Sequence, residues 1–272
     1  MSKYFEYDSG RIHYTDHGEG AVILLVHGYL ETSEILESFA KKLSEKFRVI
    51  AVDLPGHGKS ADEQRILTTE LMASILAKLI NNLNIAKFFF TGHSLGGYVA
   101  LAFAELFPDL LTGYCLLHSH PFSDDDEKLE KRRMEIKLVE EGKKNLFIPF
   151  TISKLYASVT LDKFSRAVER SKKIALTIPG ETIIAVLKGM MARPERLSVL
   201  ESGEIPHLWI LGAQDNLINC ETIQSKVGIP PNSRVVVLQS SGHMGFIEEE
   251  DLSLKIITEF VKKITSGTRS HT

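Results

Sequence analysis

The sequence predicts an α/β fold in which a mostly parallel, doubly wound sheet carries a helical insertion. Apolar runs of strand length, such as "AVILLVHG", alternate with amphipathic stretches of helix length. This alternation is typical of parallel strands joined by crossover helices. The runs are continuously apolar, which is typical of strands buried on both faces. The insertion is predicted because no convincing strand pattern occurs between roughly Pro121 and Pro206.

The core elements can be assigned in chain order. "KYFEY" and "RIHYTD" flank the turn signal Asp8-Ser9-Gly10 and predict a hairpin. Thr68 or Thr69 is a predicted N-cap of the second helix, and the tail 265–272 is expected to be frayed. Strands are predicted in "AVILLVHG", "RVIAVDLPGHGKS", "KFFFTG", "LTGYCLLHSH", "HLWILGAQD" and "SRVVVLQSSGH", and helices in "ESFAKKLSEKF", "TTELMASILAKLINNLNI" and "EDLSLKIITEFVKKI".

Two domains follow from this assignment. Residues 1–120 and 207–272 form the predicted α/β core, and residues 121–206 form the predicted helical insertion. Within the insertion, "SDDDEKLEKRRMEIKLVEEGKKNL" predicts a charged helix, in which we interpret Arg132 and Arg133 as part of a solvated face. The alternative is that one of the two turns toward the pocket and meets a substrate carboxylate. The stretch "NLFIPFTISKLY" predicts an apolar wall of a partly enclosed pocket, and hence a small or medium lipophilic acyl group rather than a polymer.

The composition excludes several partner classes. The net charge of −3 comes from 32 basic and 35 acidic side chains, so no strong field predicts nucleic acid or a membrane surface as a partner. The polar start "MSKYFEYDSG" lacks the apolar core of a signal peptide, and no stretch has the length of a membrane span. We therefore expect a cytoplasmic protein. The oligomeric state cannot be predicted from the sequence.

The candidate nucleophile is Ser94. The pattern Gly92-x-Ser94-x-Gly96 follows a predicted strand and opens a predicted helix, which is the context of a nucleophile elbow. A sharp strand-to-helix turn strains the central residue and exposes its side chain. The residues two before and two after approach so closely that glycine is favoured. Ser94 is thereby expected at the carboxyl ends of the strands, where open α/β sheets bind ligands.

A serine nucleophile needs a base and an orienting acid. Asp215 follows the predicted strand "HLWILG", and His243 follows the next strand, "RVVVL". Both are therefore expected at the same edge of the sheet as Ser94, in the order Ser, Asp, His. The three acids 124–126 are rival candidates, because they follow the preceding strand. We interpret Asp53, in "DLPGHGKS", as shaping a turn.

Two backbone N–H groups are expected to hold the negative charge that develops on the substrate carbonyl. One belongs to Leu95, directly after the nucleophile, and the other belongs to Tyr29, in the loop after "VILLVHG". His118 and His120 lie two residues apart at a strand end and are expected to point to one side. We assign them, with Phe122, to the substrate pocket. A metal site is not predicted, since no third ligand accompanies the two imidazoles.

The sequence resembles the α/β-hydrolase superfamily over nearly its whole length. The resemblance rests on five ordered landmarks, "HGYLETS", "DLPGHGKS", "GHSLGG", "LGAQD" and "GHMGFIEE". It implies an α/β-hydrolase fold with a helical cap. It also implies Ser94 as nucleophile, His243 as general base and then acid, Asp215 as the orienting acid, and Tyr29 and Leu95 as oxyanion donors. No cofactor is implied.

The expected function is hydrolysis of a carboxylic ester or a related small-molecule acyl compound through an acyl-enzyme on Ser94. A serine at the elbow argues against haloalkane dehalogenase and epoxide hydrolase chemistry, which uses a carboxylate nucleophile. Carbon–carbon bond hydrolysis, thioester hydrolysis and lyase activity stay open, because they use much the same triad. A small-molecule sensor that retains a hydrolase-like site is an alternative from another class.

Overall fold

The computed structural model describes residues 2–267. Within them, nine strands form one sheet in the order β1-β2-β4-β3-β6-β7-β8-β9, with β5 paired to β2. The strands are β1 (Lys3–Tyr7), β2 (Gly10–His17), β3 (Val22–Val26), β4 (Arg48–Val52), β5 (Ala61–Asp62), β6 (Phe88–His93), β7 (Leu111–Leu117), β8 (His207–Gly212) and β9 (Arg234–Leu238). All neighbours from β4 to β9 are parallel, whereas β2 pairs antiparallel with β1, β4 and β5. The predicted hairpin and mostly parallel sheet are confirmed.

Helices join and cover the strands. They are α1 (Glu37–Leu43), α2 (Thr69–Asn82), α3 (Leu95–Leu106), α4 (Asp126–Glu140), α5 (Lys144–Ser153), α6 (Ser165–Thr177), α7 (Gly180–Ala192), α8 (Leu197–Glu201), α9 (Cys220–Gln224), α10 (Gly245–Glu248) and α11 (Glu250–Gly267). Thr68 is the N-cap of α2, and its side chain accepts a hydrogen bond from the Leu71 N–H. Helix α11 includes the first three residues of the tail predicted to fray, and residues 268–272 lie outside the described part of the chain.

The sheet is covered on both faces, as the continuously apolar runs predict. All six residues of β6 are buried. Successive side chains of a strand point to opposite faces. Accordingly, Phe88 and Phe90 pack against Phe103 of α3, whereas Phe89 packs against Phe260 of α11. This alternation shows why the run needs no polar residue: neither face of the strand meets solvent.

The segment 121–206 contains α4 to α8 and, among the described residues, no strand. The predicted single charged helix is wrong in its extent, because α4 ends at Glu140 and the chain turns at Gly142, whose φ is +73°. A new helix, α5, then carries the apolar stretch that begins at Asn145. A left-handed glycine just after a helix is a common C-terminal stop signal.

In the described part of the chain, no single helix is both long enough and apolar enough to cross a membrane. The pair α6 and α7, bent by 97°, meets these two conditions together, by length and composition only.

Candidate active site

The turn between β6 and α3 holds Ser94 in a strained backbone conformation. Its φ is +49° and its ψ is −109°, a combination that side-chain-bearing residues rarely adopt. A Cβ on Gly92 would lie 2.1 Å from the Gly96 carbonyl oxygen, and a Cβ on Gly96 would lie 2.5 Å from the Val26 carbonyl oxygen. Both contacts involve backbone atoms that cannot move aside easily. The glycines are therefore required by close approach, as the sequence pattern predicts.

Asp215 and His243 meet across the gap between the ends of β8 and β9. His243 Nδ1 lies 2.7 Å from Asp215 Oδ2, while Asp215 Oδ1 accepts hydrogen bonds from the N–H groups of Leu217 and Ile218. Burial by itself raises the pKa of Asp215, but His243 and His118 outweigh it and hold the pKa of this carboxyl well below its usual range. An ionised Asp215 keeps a proton on His243 Nδ1 and leaves Nε2 free to accept one.

Ser94 and His243 line the same cavity, which we call the Ser94 cavity. Its volume is about 90 Å³. Within residues 2–267, the buried Nε2 of His243 has no hydrogen-bond partner. The other lining residues are Tyr29, Tyr98, Lys128, Lys131, Arg132, Glu135, Thr151, Met190, Leu217 and Ile218. The unpaired imidazole nitrogen and the strained serine therefore line one small cavity, which is one requirement of general-base catalysis.

The loop after β3 and the start of α3 provide the candidate oxyanion donors. The Gly28 N–H is engaged by Glu31 Oε2 at 2.6 Å, so it is not the donor from this loop. The next N–H belongs to Tyr29, whose side chain lines the Ser94 cavity. Leu95 is the first residue of α3, and the first N–H groups of a helix have no intrahelical acceptor. Leu95 therefore directly follows the serine and Tyr29 lines the same cavity, and the role of the two N–H groups stays a prediction.

A buried ion pair lies beneath this site and was missed by the sequence analysis. His93 Nδ1 lies 2.9 Å from Glu31 Oε2, and His93 Nε2 lies 2.9 Å from the carbonyl oxygen of His243. A carbonyl oxygen only accepts hydrogen bonds, and a carboxylate does the same, so both ring nitrogens donate and the ring is an imidazolium. Burial alone lowers the pKa of His93, yet Glu31 raises it overall. Burial alone raises the pKa of Glu31, yet His93 lowers it overall.

This ion pair joins three parts of the site. Glu31 lies in the loop of the candidate oxyanion donor Tyr29, His93 directly precedes the serine, and the carbonyl belongs to His243. The Glu31 and His93 side chains are 3% and 1% exposed, so water screens them little. The sequence did offer a signal, since both residues belong to the landmarks "HGYLETS" and "GHSLGG". The distance between them in the chain hid the contact.

Removing one partner of this pair will destabilise the protein. In Glu31→Leu, the N–H groups of His93 and Gly28 lose a buried acceptor, and we expect a loss of about 3 kcal/mol in the free energy of unfolding. The loss should be largest between pH 4.5 and pH 6.5, the ordinary pKa values of the two groups. The lowered pKa of Glu31 makes its contribution disappear in acid, and the raised pKa of His93 makes its contribution disappear at alkaline pH.

Urea denaturation across this pH range measures the effect. Glu45→Leu, at an exposed position, is the matched control and should change the free energy of unfolding by less than about 0.5 kcal/mol. A Glu31→Leu protein as stable as the control would contradict the ion-pair assignment.

The connection after α5 holds the two loops of the acid–base pair. The His243 N–H donates to the Leu155 carbonyl at 2.6 Å. The side-chain amide of Asn216, next to the acid, donates to the Lys154 carbonyl at 3.0 Å. The helical segment 121–206 therefore helps to position Asp215 and His243, in addition to covering them.

The predicted pocket histidines occupy different places. His118 is fully buried and lines neither the Ser94 cavity nor its neighbour, contrary to our expectation. Its φ of +49° breaks the strand alternation on which that expectation rested. His120 and Phe122 line a neighbouring cavity of about 330 Å³. His120 Nδ1 accepts a hydrogen bond from the Phe122 N–H, so the proton of the neutral ring is on Nε2, which donates to the Tyr98 hydroxyl oxygen at 3.1 Å.

His118 instead contacts the acid–base pair from below. Its Nε2 accepts a hydrogen bond from the Gly245 N–H, so the proton of the neutral ring is on Nδ1, which lies 3.8 Å from Asp215 Oδ2. His118, Asp215 and His243 offer nitrogen and oxygen atoms within 4.8 Å of one another, a spacing that suits a metal ion. The protonated Nδ1 of His118 has no lone pair to offer, so a hydrogen-bonded cluster fits these residues better than a ligand set.

The rival acids have other partners. Asp124 pairs with Arg132 and Arg193, and Asp125 caps α4 by accepting from the Lys128 N–H at 2.8 Å. Asp126 is exposed on the first turn of α4. The carboxylate that contacts the ring of His243 is therefore that of Asp215.

Asp53 accepts hydrogen bonds from the N–H groups of Ser33 and Lys59 and contacts His13. These contacts agree with the turn-shaping role that the sequence analysis assigned to it. Asp53 directly follows β4, and through these hydrogen bonds it joins Ser33, which lies before α1, to Lys59 in the loop after β4.

Comparison with known proteins places this architecture among hydrolases. A solved thermophilic esterase from Thermogutta terrifontis, with malate bound, matches with a TM-score of 0.89 and 28% identity, over 97% of this chain and 99% of that chain. The enol-lactonase from Burkholderia xenovorans LB400 matches in fold, with a TM-score of 0.86 and 19% identity over 96% and 100% of the two chains. A pimeloyl-[acyl-carrier protein] methyl ester esterase from Xanthomonas oryzae is 23% identical over 91% of this chain and 97% of its own.

The family model of the alpha/beta hydrolase fold matches residues 21–250. This range includes β3, the elbow, the helical segment 121–206 and the loops that carry Asp215 and His243. The sheet order and the strand-to-helix turn at Ser94 agree with that match. The chain belongs to the α/β-hydrolase family.

Proposed function

We propose that this protein is a serine hydrolase that cleaves small carboxylic esters through an acyl-enzyme on Ser94. The observation that carries the proposal is the free Nε2 of His243, which shares the Ser94 cavity while ionised Asp215 engages Nδ1. The names of the Thermogutta and Xanthomonas relatives describe enzymes that act on esters, which supports the same reaction class for this chain.

The reaction proceeds in two halves. Ser94 Oγ attacks the ester carbonyl carbon while His243 Nε2 takes the hydroxyl proton, and Asp215 stabilises the imidazolium that forms. The carbonyl oxygen becomes an oxyanion held by the N–H groups of Tyr29 and Leu95. The tetrahedral intermediate collapses, the C–O bond breaks, and His243 gives its proton to the leaving alcohol.

Water completes the cycle. His243 Nε2 removes a proton from a water molecule, the hydroxide attacks the acyl carbon, and the second intermediate releases the acid while Ser94 Oγ regains the proton. We interpret the helical segment 121–206 as the cap that encloses this chemistry, since its residues line the Ser94 cavity together with the serine. A cavity of about 90 Å³ suits a small acyl group better than a polymer.

A covalent probe tests this proposal directly. A fluorophosphonate should label the protein at a 1:1 ratio, and peptide mass spectrometry should assign the adduct to Ser94, because only a serine with a neighbouring base attacks phosphorus readily. Ser123→Ala removes an exposed serine of the neighbouring cavity and should label like the wild type. Absence of labelling, or an adduct on another serine, would overturn the proposed function. Repeated release of product would also distinguish an enzyme from a sensor.

A further inference from the structure

The face of α4 that lines the Ser94 cavity is charged. Lys128, Lys131, Arg132 and Glu135 line the cavity, and their spacing of three, four and seven residues places them on one side of a helix. A helix that packs on a protein normally turns an apolar stripe inward. Here Arg132 and Glu135 are buried, whereas Met134 is 59% exposed on the outside. Each buried charge needs a partner. Asp124 supplies one for Arg132, and the Tyr29 hydroxyl supplies one for Glu135.

The charges on this face do not cancel. Asp124 is held by the guanidinium groups of both Arg132 and Arg193, so two cations share one anion. The Arg193 guanidinium lies 3.9 Å from the centre of the Tyr98 ring, which fixes it in place. The third nitrogen contact of Arg132 goes to the Met190 sulfur at 3.4 Å. A thioether is a weak acceptor, so the guanidinium keeps N–H donors for a stronger one.

Two lysines add to this excess. Lys128 and Lys131 line the cavity, and in the part of the chain that the structure describes neither ammonium group forms a salt bridge. The single acid on the same face is Glu135, whose oxygen lies 3.4 Å from the Tyr29 hydroxyl. Burial raises the pKa of Glu135, although Lys131 and Arg132 act in the opposite direction. Three cationic residues therefore line the cavity with one acid.

Building on the proposed ester hydrolysis, we propose that the substrate is a small ester that carries a carboxylate, which Lys128, Lys131 and Arg132 bind. Guanidinium and ammonium groups form charge-assisted hydrogen bonds with carboxylates, which are stronger than those between neutral groups. The Ser94 cavity places these cations beside the serine, so a short substrate reaches both. The expectation of a solvated face is wrong for Arg132, which is only 8% exposed.

The neighbouring cavity does not offer the same attraction. It shares Lys128, Leu217 and Ile218 with the Ser94 cavity, but its charged lining is mixed, with Lys128 and Lys226 against Asp124, Asp125 and Glu195. This lining has no excess of positive charge. The Ser94 cavity, with three cationic residues and one acid, is therefore the stronger candidate site for a carboxylate.

The test uses ester pairs that differ only in charge. In the first pair, monomethyl adipate is compared with dimethyl adipate, which places the charge on the acyl side of the ester. In the second pair, 4-acetoxybutyrate is compared with its methyl ester, which places the charge on the alcohol side. Cleavage in the second pair is measured by the release of acetate. We expect kcat/KM to be at least tenfold higher for the charged member of one pair. In the double variant Lys128→Gln/Lys131→Gln, activity on that charged ester should fall at least fivefold more than activity on its neutral partner.

Arg133→Gln is the matched control. Arg133 lies on the same helix with its side chain exposed, paired with Glu130, and outside the cavity lining. The Arg133→Gln substitution removes one positive charge, as each lysine substitution does, so it reports any effect of the overall charge of the protein. The preference should be the same in Arg133→Gln as in the wild type.

The outcomes separate this inference from the proposed function. An enzyme that cleaves p-nitrophenyl butyrate but does not prefer the charged ester in either pair overturns the inference alone. If no ester is cleaved, the proposed function fails, and calorimetry on Ser94→Ala decides the inference by itself. Tighter binding of either charged ester than of its neutral partner supports the anion site, and equal or weaker binding in both pairs overturns it.

Discussion

Replacing Ser94 with alanine will lower kcat for p-nitrophenyl butyrate by about 10⁴-fold or more. The variant keeps the glycines, the elbow and His243, but it has no oxygen to attack the carbonyl carbon. The remaining activity will come from water attacking a substrate that the oxyanion donors still polarise. The folded state should be retained, since only one hydroxyl is lost from a side chain that lines a cavity.

Steady-state kinetics and thermal unfolding measured together check this result. Ser123→Ala is the control and should keep the kcat of the wild type. If a Ser94→Ala preparation that is free of contaminating esterase keeps more than a tenth of the wild-type kcat, another group is the nucleophile and the mechanism is wrong.

Replacing Asp215 with asparagine will lower kcat by about 10⁴-fold through the wrong tautomer of His243. Asp215 Oδ1 accepts from the N–H groups of Leu217 and Ile218. The amide oxygen of asparagine must occupy that position, so its NH₂ group faces His243 Nδ1. A nitrogen that receives an N–H cannot carry a proton itself, and the ring proton moves to Nε2. His243 then has no lone pair with which to accept the proton of Ser94.

The matched control for this substitution is Asp126→Asn, an exposed acid among the rival candidates. It should keep wild-type kcat. Substitution at Asp215 should lower kcat far more than it raises KM, because the triad acts in the transition state. Asp215→Asn with kcat within tenfold of the wild type would mean that a different acid orients His243.

Much of the site could be predicted because its signals are local. The strand "KFFFTG", the glycines around Ser94 and the helix after them are consecutive in the chain, and steric crowding in one turn requires that pattern. The sheet-edge positions of Asp215 and His243 also follow locally, since each residue comes shortly after an apolar strand, β8 or β9. Parallel strands bring their carboxyl ends to one edge whatever lies between them.

The contacts that escaped prediction join residues far apart in the chain. Glu31 and His93 are 62 positions apart, and they meet because β3 and β6 are neighbours in the sheet. The predicted position of the His118 side chain was wrong because the residue has a positive φ, which reverses the direction of the side chain. A histidine in the sequence gives no sign that its φ will be positive. The charged residues of α4 are visible in the sequence, but their spacing does not show which side of the helix lines the cavity.

The strand–helix rhythm, the turn at Ser94 and the order of its partners can be deduced from the chain's local pattern, because apolar runs and glycine crowding act over a few neighbouring residues. The burial of Arg132 and Glu135 of α4 follows only from the packed fold. Burial and pairing depend on the packing of separate segments, and the free energy of a buried charge depends on every partner that this packing brings to it.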